Sequence, residues 1–297
     1  MYIDNNWYGH KKILLNYLNL KYQSIFGSIQ HGWILEDRVR KTNYGKRTLT
    51  LAPFLCWNKK IENIIKENNI QNVHAIGAPF LYLCDIKKEI IENNIKNVGT
   101  FAFPFHSTLE EKIIFDHEGF IKKIEENFTP PYYVSLYNED LTSDITSLYK
   151  NKNWKIISFG KRENTNFLEE FLFEILKFKT VVFSEVSTGF FYSMYLQKET
   201  KIIYSKKPNK EFFFFRDYKN NGFNKNEINK IFLKNYPFID KDKYDKNKGL
   251  QLAKKELGFD NFKSHNDLRK ILKIDNFYIK IFSLIFKFLV IIKSKIQ

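Results

Sequence analysis

The chain has 297 residues, enough for two domains of ordinary size, and 43% of them are hydrophobic, which excludes a disordered chain. Forty-eight Lys+Arg against 33 Asp+Glu leave a formal net charge of +15 and select anionic partners: phosphorylated substrates, nucleic acid or an acidic membrane surface. The lysines are spread along the chain with no basic stripe and no recognisable nucleic-acid module, so nucleic acid is the least expected of these. Cys56 and Cys84 fit no metal-ligand spacing and read as small buried residues of a reduced compartment. The polar start of the sequence lacks the layout of a secretory signal, which points to the cytoplasm.

In chain order, residues 11–20 carry apolar side chains at helical spacing, and a strand over 24–29 ends in Gln30-His31-Gly32-Trp33. In open α/β sheets the carboxyl ends of strands are where ligands bind. His31 could serve there as a general base or a phosphate donor; the alternative is a histidine packed beside Trp33. A basic loop over 38–47 and a strand over 49–55 precede a helix over 59–68. The strand 73–76 closes in Gly77-Ala78-Pro79, a loop near ligand or a plain turn. A helix over 80–93 leads to the strand 98–103, followed by Pro104-Phe105-His106-Ser107-Thr108. His106 could be the second polar group of a site shared with His31, while Ser107 or Thr108 could cap a helix starting at Leu109-Glu110-Glu111.

A helix over 119–127 ends at Thr129-Pro130-Pro131, the strongest linker signal in the sequence. A second series then begins with a strand over 132–136, a loop from Ser135 to Asp140 and a helix to Tyr149. The strand 154–159 ends in Gly160-Lys161-Arg162, where a glycine and two cations suit a diphosphate. After a helix over 166–178 comes a strand–turn–helix–strand unit over 180–204, whose turn is Ser184-Glu185-Val186-Ser187-Thr188-Gly189. Unpaired N–H groups at a helix start favour a phosphate, with Ser187 or Thr188 as cap and Gly189 opening the backbone; the alternative is an ordinary capped turn. Strands and helices alternate throughout 24–204, which predicts an α/β protein with parallel sheets, broken into two at Pro130-Pro131. The stretch 206–248, with four consecutive phenylalanines at 212–215, gives no pattern. Helices are expected over 250–257 and 266–272. The tail 273–297 is strongly apolar, yet Lys273, Asn276, Lys280, Ser283, Lys287 and Ser294 line one helical face. That layout suits a helix lying on an anionic membrane; a core helix or an oligomer contact are the alternatives.

Together, Gln30-His31-Gly32-Trp33, Ile76-Gly77-Ala78-Pro79-Phe80, residues 103–108, 158–162 and 184–195 resemble bacterial glycosyltransferase-like proteins of surface-polysaccharide biosynthesis (lipopolysaccharide or capsule). Those proteins have two Rossmann-like domains facing each other across a cleft, the GT-B fold. The glycerophosphotransferases of teichoic-acid synthesis are also similar at the His–Gly strand end and the Ser/Thr-rich turn. The resemblance implies an acceptor domain over 1–129, shortened at its start, a nucleotide-sugar domain over 130–275, and a membrane-surface helix over 276–297. It implies sugar transfer from a nucleotide-sugar to a polysaccharide or lipid-linked acceptor at the inner face of the cytoplasmic membrane, with His31 as base and His106 second. Gly160, Lys161, Arg162, Glu185, Ser187, Thr188 and Gly189 would hold the donor, and Gly32, Gly77, Pro79, Ser107, Thr108 and Ser135 would line cleft loops. Eight positions after Glu185 stands Ser193, where the Glu-x7-Glu pair of retaining enzymes has its second glutamate. No metal ligand set and no cofactor beyond the donor is expected. A nucleotide-sugar epimerase or a glycerophosphotransferase on the same fold, or a non-enzymatic basic protein binding membrane or nucleic acid, are the competing readings.

Overall fold

The computed structural model describes residues 3–21, 25, 27–35, 52–93, 98–107, 111–203, 209–212, 232–239 and 244–276. The basic loop 38–47, Thr108, the phenylalanines at 213–215 and the proposed membrane helix, from residue 277 on, lie outside them. The chain forms two compact units, one of Met1–Lys87 with Lys255–Gln297 and one of Lys88–Lys254.

In the first unit β1 (Ser28–Ile29), β2 (Phe54–Cys56) and β3 (Val73–Ala75) form a parallel sheet in the order β1-β2-β3. All of β2 is buried, as expected for a strand covered on both faces. The chain enters this sheet through Asn5, whose amide acts as a short stand-in strand: Nδ2 donates to Gly27 O at 2.7 Å and Oδ1 accepts from Ile29 N at 2.9 Å. A turn follows with Trp7 at φ −57°, ψ 137° and Tyr8 at φ 56°, ψ 11°, values close to a type II turn, and then α1 (His10–Tyr17). The helix α2 (Lys59–Glu67) is capped by Asn58, whose side chain accepts from Ile61 N at 3.0 Å. Buried Glu62 takes Lys59 and Lys66 and accepts from Ala75 N at 3.0 Å, pinning α2 to β3. Burial raises the Glu62 pKa, but those hydrogen bonds outweigh it and hold the carboxyl below its ordinary value. Residues 80–93 form two helices instead of one, α3 (Pro79–Ile86) and α4 (Lys88–Asn93), and α4 belongs to the second unit.

The second unit is built on a five-stranded parallel sheet of β4 (Val98–Phe103), β6 (Tyr132–Ser135), β7 (Lys155–Ile157), β8 (Phe178–Phe183) and β9 (Glu199–Ile202), in the order β7-β6-β4-β8-β9. The α/β class with parallel sheets is as the alternation predicts, but the break at Pro130-Pro131 is not. β4, before the prolines, pairs directly with β6 after them, so the sheet runs across the expected boundary at 129/130. The reason is local: Thr100 N donates to Pro131 O at 3.0 Å and Thr100 Oγ1 to Thr129 O at 2.9 Å, which stitches the proline segment to β4. Gly99, at φ +54°, makes the approach possible, because a Cβ there would lie 2.1 Å from Pro131 O.

The pleat divides the core in two. Ala102 and Val182 point to one face, with Phe120, Ile121 and Ile124 of α5 (His117–Asn127), Tyr149 of α6 (Ser143–Lys150), and Trp154. Phe101, Phe103 and Phe183 form an aromatic layer with Phe159, Phe178 and Phe171 of α7 (Phe167–Leu176), ring centroids 4.6–6.4 Å apart. Residues 111–114 form a strand, β5 (Glu111–Ile114), antiparallel to β10 (Asn209–Phe212), where the acidic run predicts a helix start.

Candidate functional site

In the second unit the chain begins in the middle of its sheet. From β4 it moves outward to β6 and β7, then returns to the other side of β4 for β8 and β9. Numbered by chain order this is 3-2-1-4-5, the order found in a Rossmann-like sheet, and its topological switch point lies between β4 and β8. In such sheets the loops leaving the carboxyl ends of those two strands diverge, and ligands bind in the crevice between them. Residues 104–107 and 184–187 are those loops. Their bases are joined, since Ser184 N donates to Phe103 O at 3.0 Å.

Further along the same edge a row of polar groups continues. Asp140, after β6, accepts from Ser107 N at 2.9 Å, and Ser107 Oγ accepts from Ile113 N at 3.1 Å. Ser107 thus ties its loop to β5 and to Asp140; it caps no helix. The exposed ring of His106 lies over Tyr137, centroids 5.1 Å apart, and Tyr137 Oη accepts from Arg162 N at 3.2 Å. Burial, the largest influence, raises the pKa of both Tyr137 and Asp140. The structure therefore brings His106, Ser107, Asp140, Tyr137 and Arg162 together, with residues 184–187 beside them. Ser135 is the half-buried last residue of β6, in register with Ile157.

The donor loops of the second unit do not converge on one point. Gly160, Lys161 and Arg162 follow β7 at the sheet edge, and Ser187, Thr188 and Gly189 follow β8, with β6 and β4 between them. At roughly 4.8 Å per strand that is about 14 Å. Lys161 is exposed, whereas Arg162 Nε donates to Glu163 Oε1 at 3.2 Å. Gly160 adopts φ +74°, and a Cβ there would make only ordinary contact with Asn164 at 3.9 Å. Ser187 is the N-cap of α8 (Thr188–Tyr195), with no side-chain cap hydrogen bond, and half-buried Glu185 lies just before it. Gly189 serves packing: a Cβ would meet the rings of Phe171 and Phe183 at 3.3 Å. Ser193 donates to Gly189 O at 2.9 Å inside the same helix.

In the first unit His31 and Gly32 follow β1 and are half-buried. Gln30 holds their loop, its Oε1 accepting from Trp57 N at 3.1 Å and its Nε2 donating to Gly32 O at 2.8 Å. Trp33 Nε1 donates to Glu256 Oε2 at 2.7 Å, on α9 (Lys246–Leu257). The His31 ring lies 4.7 Å from that of Trp7 and is stacked at 6.3 Å on that of His10, a residue the sequence reading passed over. His10 is 1% exposed, and among the described residues its Nδ1 has no hydrogen-bond partner. An unpaired buried polar group costs about 1–3 kcal/mol. Burial, and next the neighbouring His31, lower the His10 pKa to about 3, so its imidazole is neutral at any ordinary pH. The clue in the sequence is Gly9, at φ +80°, ahead of a helical pattern.

Gly77 and Pro79 lie in packed protein instead of an open loop. Ala78 N donates to Leu257 O at 2.8 Å, and a Cβ at Gly77 would meet Gly258 O at 3.2 Å and Phe262 Cα at 3.4 Å. Pro79 is buried in the first turn of α3, where a missing N–H is harmless. Cys56 and Cys84 are buried and unbonded to each other. Among the described residues no three His, Cys, Asp or Glu side chains gather as a metal site, and no helix is long and apolar enough to cross a membrane. No protein-family model, curated protein or solved structure matches the chain.

Proposed function

We propose that this protein transfers a glycosyl group from a nucleotide-sugar to a polysaccharide or lipid-linked acceptor. The observation that carries this reading is the strand order β7-β6-β4-β8-β9. Its switch point opens beside His106, Ser107 and the start of α8, and a sheet of this order binds nucleotides at that place. The second unit would take the donor there, its diphosphate near the first turn of α8 and the backbone at Ser187. Lys161, further along the edge beside the Arg162–Glu163 pair, would meet another part of the ligand. In the first unit His31 would be the base that accepts the proton of the acceptor hydroxyl. The apolar, lysine-striped tail would keep the enzyme on an anionic membrane surface, near a lipid-linked acceptor.

A thermal-shift screen of the full chain against UDP-, CDP-, GDP- and CMP-sugars tests the donor assignment, since a ligand binding the native state raises its stability by mass action. One nucleotide class is expected to raise Tm in a concentration-dependent way, and replacing Ser187 with a bulky residue should abolish the shift. Binding to none of them, alongside salt-sensitive binding to nucleic acid, would favour a non-enzymatic basic protein instead. Binding with sugar interconversion and no transfer would favour an epimerase.

A further inference from the structure

His10 has no packing reason to be a histidine. It is enclosed by Tyr8, His31 and Trp57, with ring centroids at 5.9, 6.3 and 6.5 Å, where an apolar side chain would leave no polar atom unpaired. Among the described residues its Nδ1 has no hydrogen-bond partner, although Gln30, Trp57 and Asn5 around the same strand end are all paired. A buried polar group left unpaired in a native structure calls for an explanation, a functional role or a bound water among them. The arrangement that buries it is also specific: the Asn5 amide fixes the segment to β1, and two consecutive left-handed residues, Tyr8 and Gly9, turn the chain so that His10 faces His31.

We infer that His10 is a positioning residue for His31: an imidazole stacked on the His31 ring that holds it against Trp7 and whose polar ring stabilises the imidazolium formed when His31 takes a proton. This inference rests on the reading of His31 as the base. In that reaction the acceptor hydroxyl gives its proton to the His31 lone pair. Its oxygen bonds to the anomeric carbon as the bond to the nucleoside diphosphate breaks, and the diphosphate leaves with that electron pair. His31 then returns the proton to solvent. His10 neither gains nor loses a proton in any step. Its very low basicity, set by burial and by the charge of His31, means that the pair holds a single proton and His31 carries it. With Nδ1 unengaged, no hydrogen bond at that atom fixes its tautomer. Tyr8, on the same segment, lies 5.9 Å from His10 between ring centroids, and Glu256 of α9 is bonded to Trp33, two residues after His31.

The test follows the ring nitrogens of both histidines by NMR across pH in the full-length protein, wild type and with His10→Phe or His10→Asn. In wild type the His10 nitrogens should shift as His31 titrates while His10 itself stays neutral. His10→Phe should lower the His31 pKa by about half a unit, and His10→Asn, which keeps a polar acceptor in the space, should restore at least part of it. A His31 pKa unchanged to within about 0.2 unit in His10→Phe overturns the inference. Should that variant not fold, His10 nitrogens that ignore the His31 titration in wild type overturn it equally. Neither measurement depends on transfer activity, so a titration coupling without any sugar transfer would remove the proposed function and leave the coupling standing. With transfer in hand, His10→Phe should lower kcat about threefold and leave the donor KM unchanged, as expected for an interaction made only in the transition state.

Discussion

His10 and His117 are both buried, and burial is the main reason that their imidazoles are neutral down to about 3 and about 4. For His117, the nearby Asp116 opposes the shift without cancelling it, and Nδ1 lies 2.9 Å from Tyr149 Oη. The unfolded chain protonates both near pH 6.5 whereas the folded chain does not, so their contribution is complete above that pH and lost as the pH falls. Each should remove about 1.4 kcal/mol of stability per pH unit below 6.5, until its folded value is reached. Urea unfolding at pH 7, 6 and 5 measures this; His10→Phe should make the slope shallower, and an unaltered slope would show that His10 is solvated. Asp140 has the opposite sign. Burial raises its pKa, so stability is lost as pH rises from the unfolded carboxylate value through the folded one. Asp140→Asn keeps an acceptor for Ser107 N and should be neutral or stabilising at pH 7. Asp140→Ala leaves that buried N–H unpaired and should cost about 1–3 kcal/mol.

Among the elements, β4 and its proline partner are the most exacting. Gly99→Ala would put a methyl group on Pro131 O, in backbone that already disfavours a side chain, and should cost at least about 3 kcal/mol. Gly160→Ala has the same sign of φ, but its nearest neighbour would be Asn164 at 3.9 Å, so only the conformational cost of about 1 kcal/mol remains. Comparing the two by urea denaturation separates steric from conformational need, and equal costs would contradict the Gly99 contact. The strands of the second unit were legible because apolar runs such as those at 98–103 and 178–183 are long and end in turn residues. β5 was not, because it pairs with residues 209–212, nearly a hundred positions later, and its own residues look like a helix start. Pro130-Pro131 reads as a linker by composition, but only the hydrogen bonds from Thr100 show that it belongs to the sheet. Likewise Gly77-Ala78-Pro79 has the chemistry of a ligand loop, and the distant Gly258 takes up the space. His10 stayed hidden for the same reason, since its burial depends on Asn5 reaching β1.

At the scale of the whole molecule, the second unit has the strand order of a Rossmann-like sheet and the surplus of cations suits a polyanionic ligand or surface. Lys161→Ala with Arg162→Ala should leave the fold intact, because Lys161 is exposed and the Arg162–Glu163 pair is a surface one. If those side chains meet the ligand, nucleotide affinity measured by calorimetry should fall severalfold, and an unchanged value would limit the ligand to the switch point. The tail is testable separately. Leu272 and Ile274 are buried in the first unit and Asp275 pairs with Arg269, so a chain ending after Asn276 keeps those contacts. It should remain folded and lose co-sedimentation with anionic vesicles; aggregation of this truncation would show that the tail packs as core.

The strand order also has a consequence for a chain emerging from the ribosome. β4 is the centre of the finished sheet but the first of its five strands to be made, and about 75 residues separate its end from the start of the β8 that covers its second edge. At ordinary ribosomal elongation rates that edge, with Phe101 and Phe103 beside it, waits roughly 4–15 s for its partner. During that interval β6 and β7 can close only one side. Until β8 arrives, nascent chains crowded on one messenger would present matching open strands to one another.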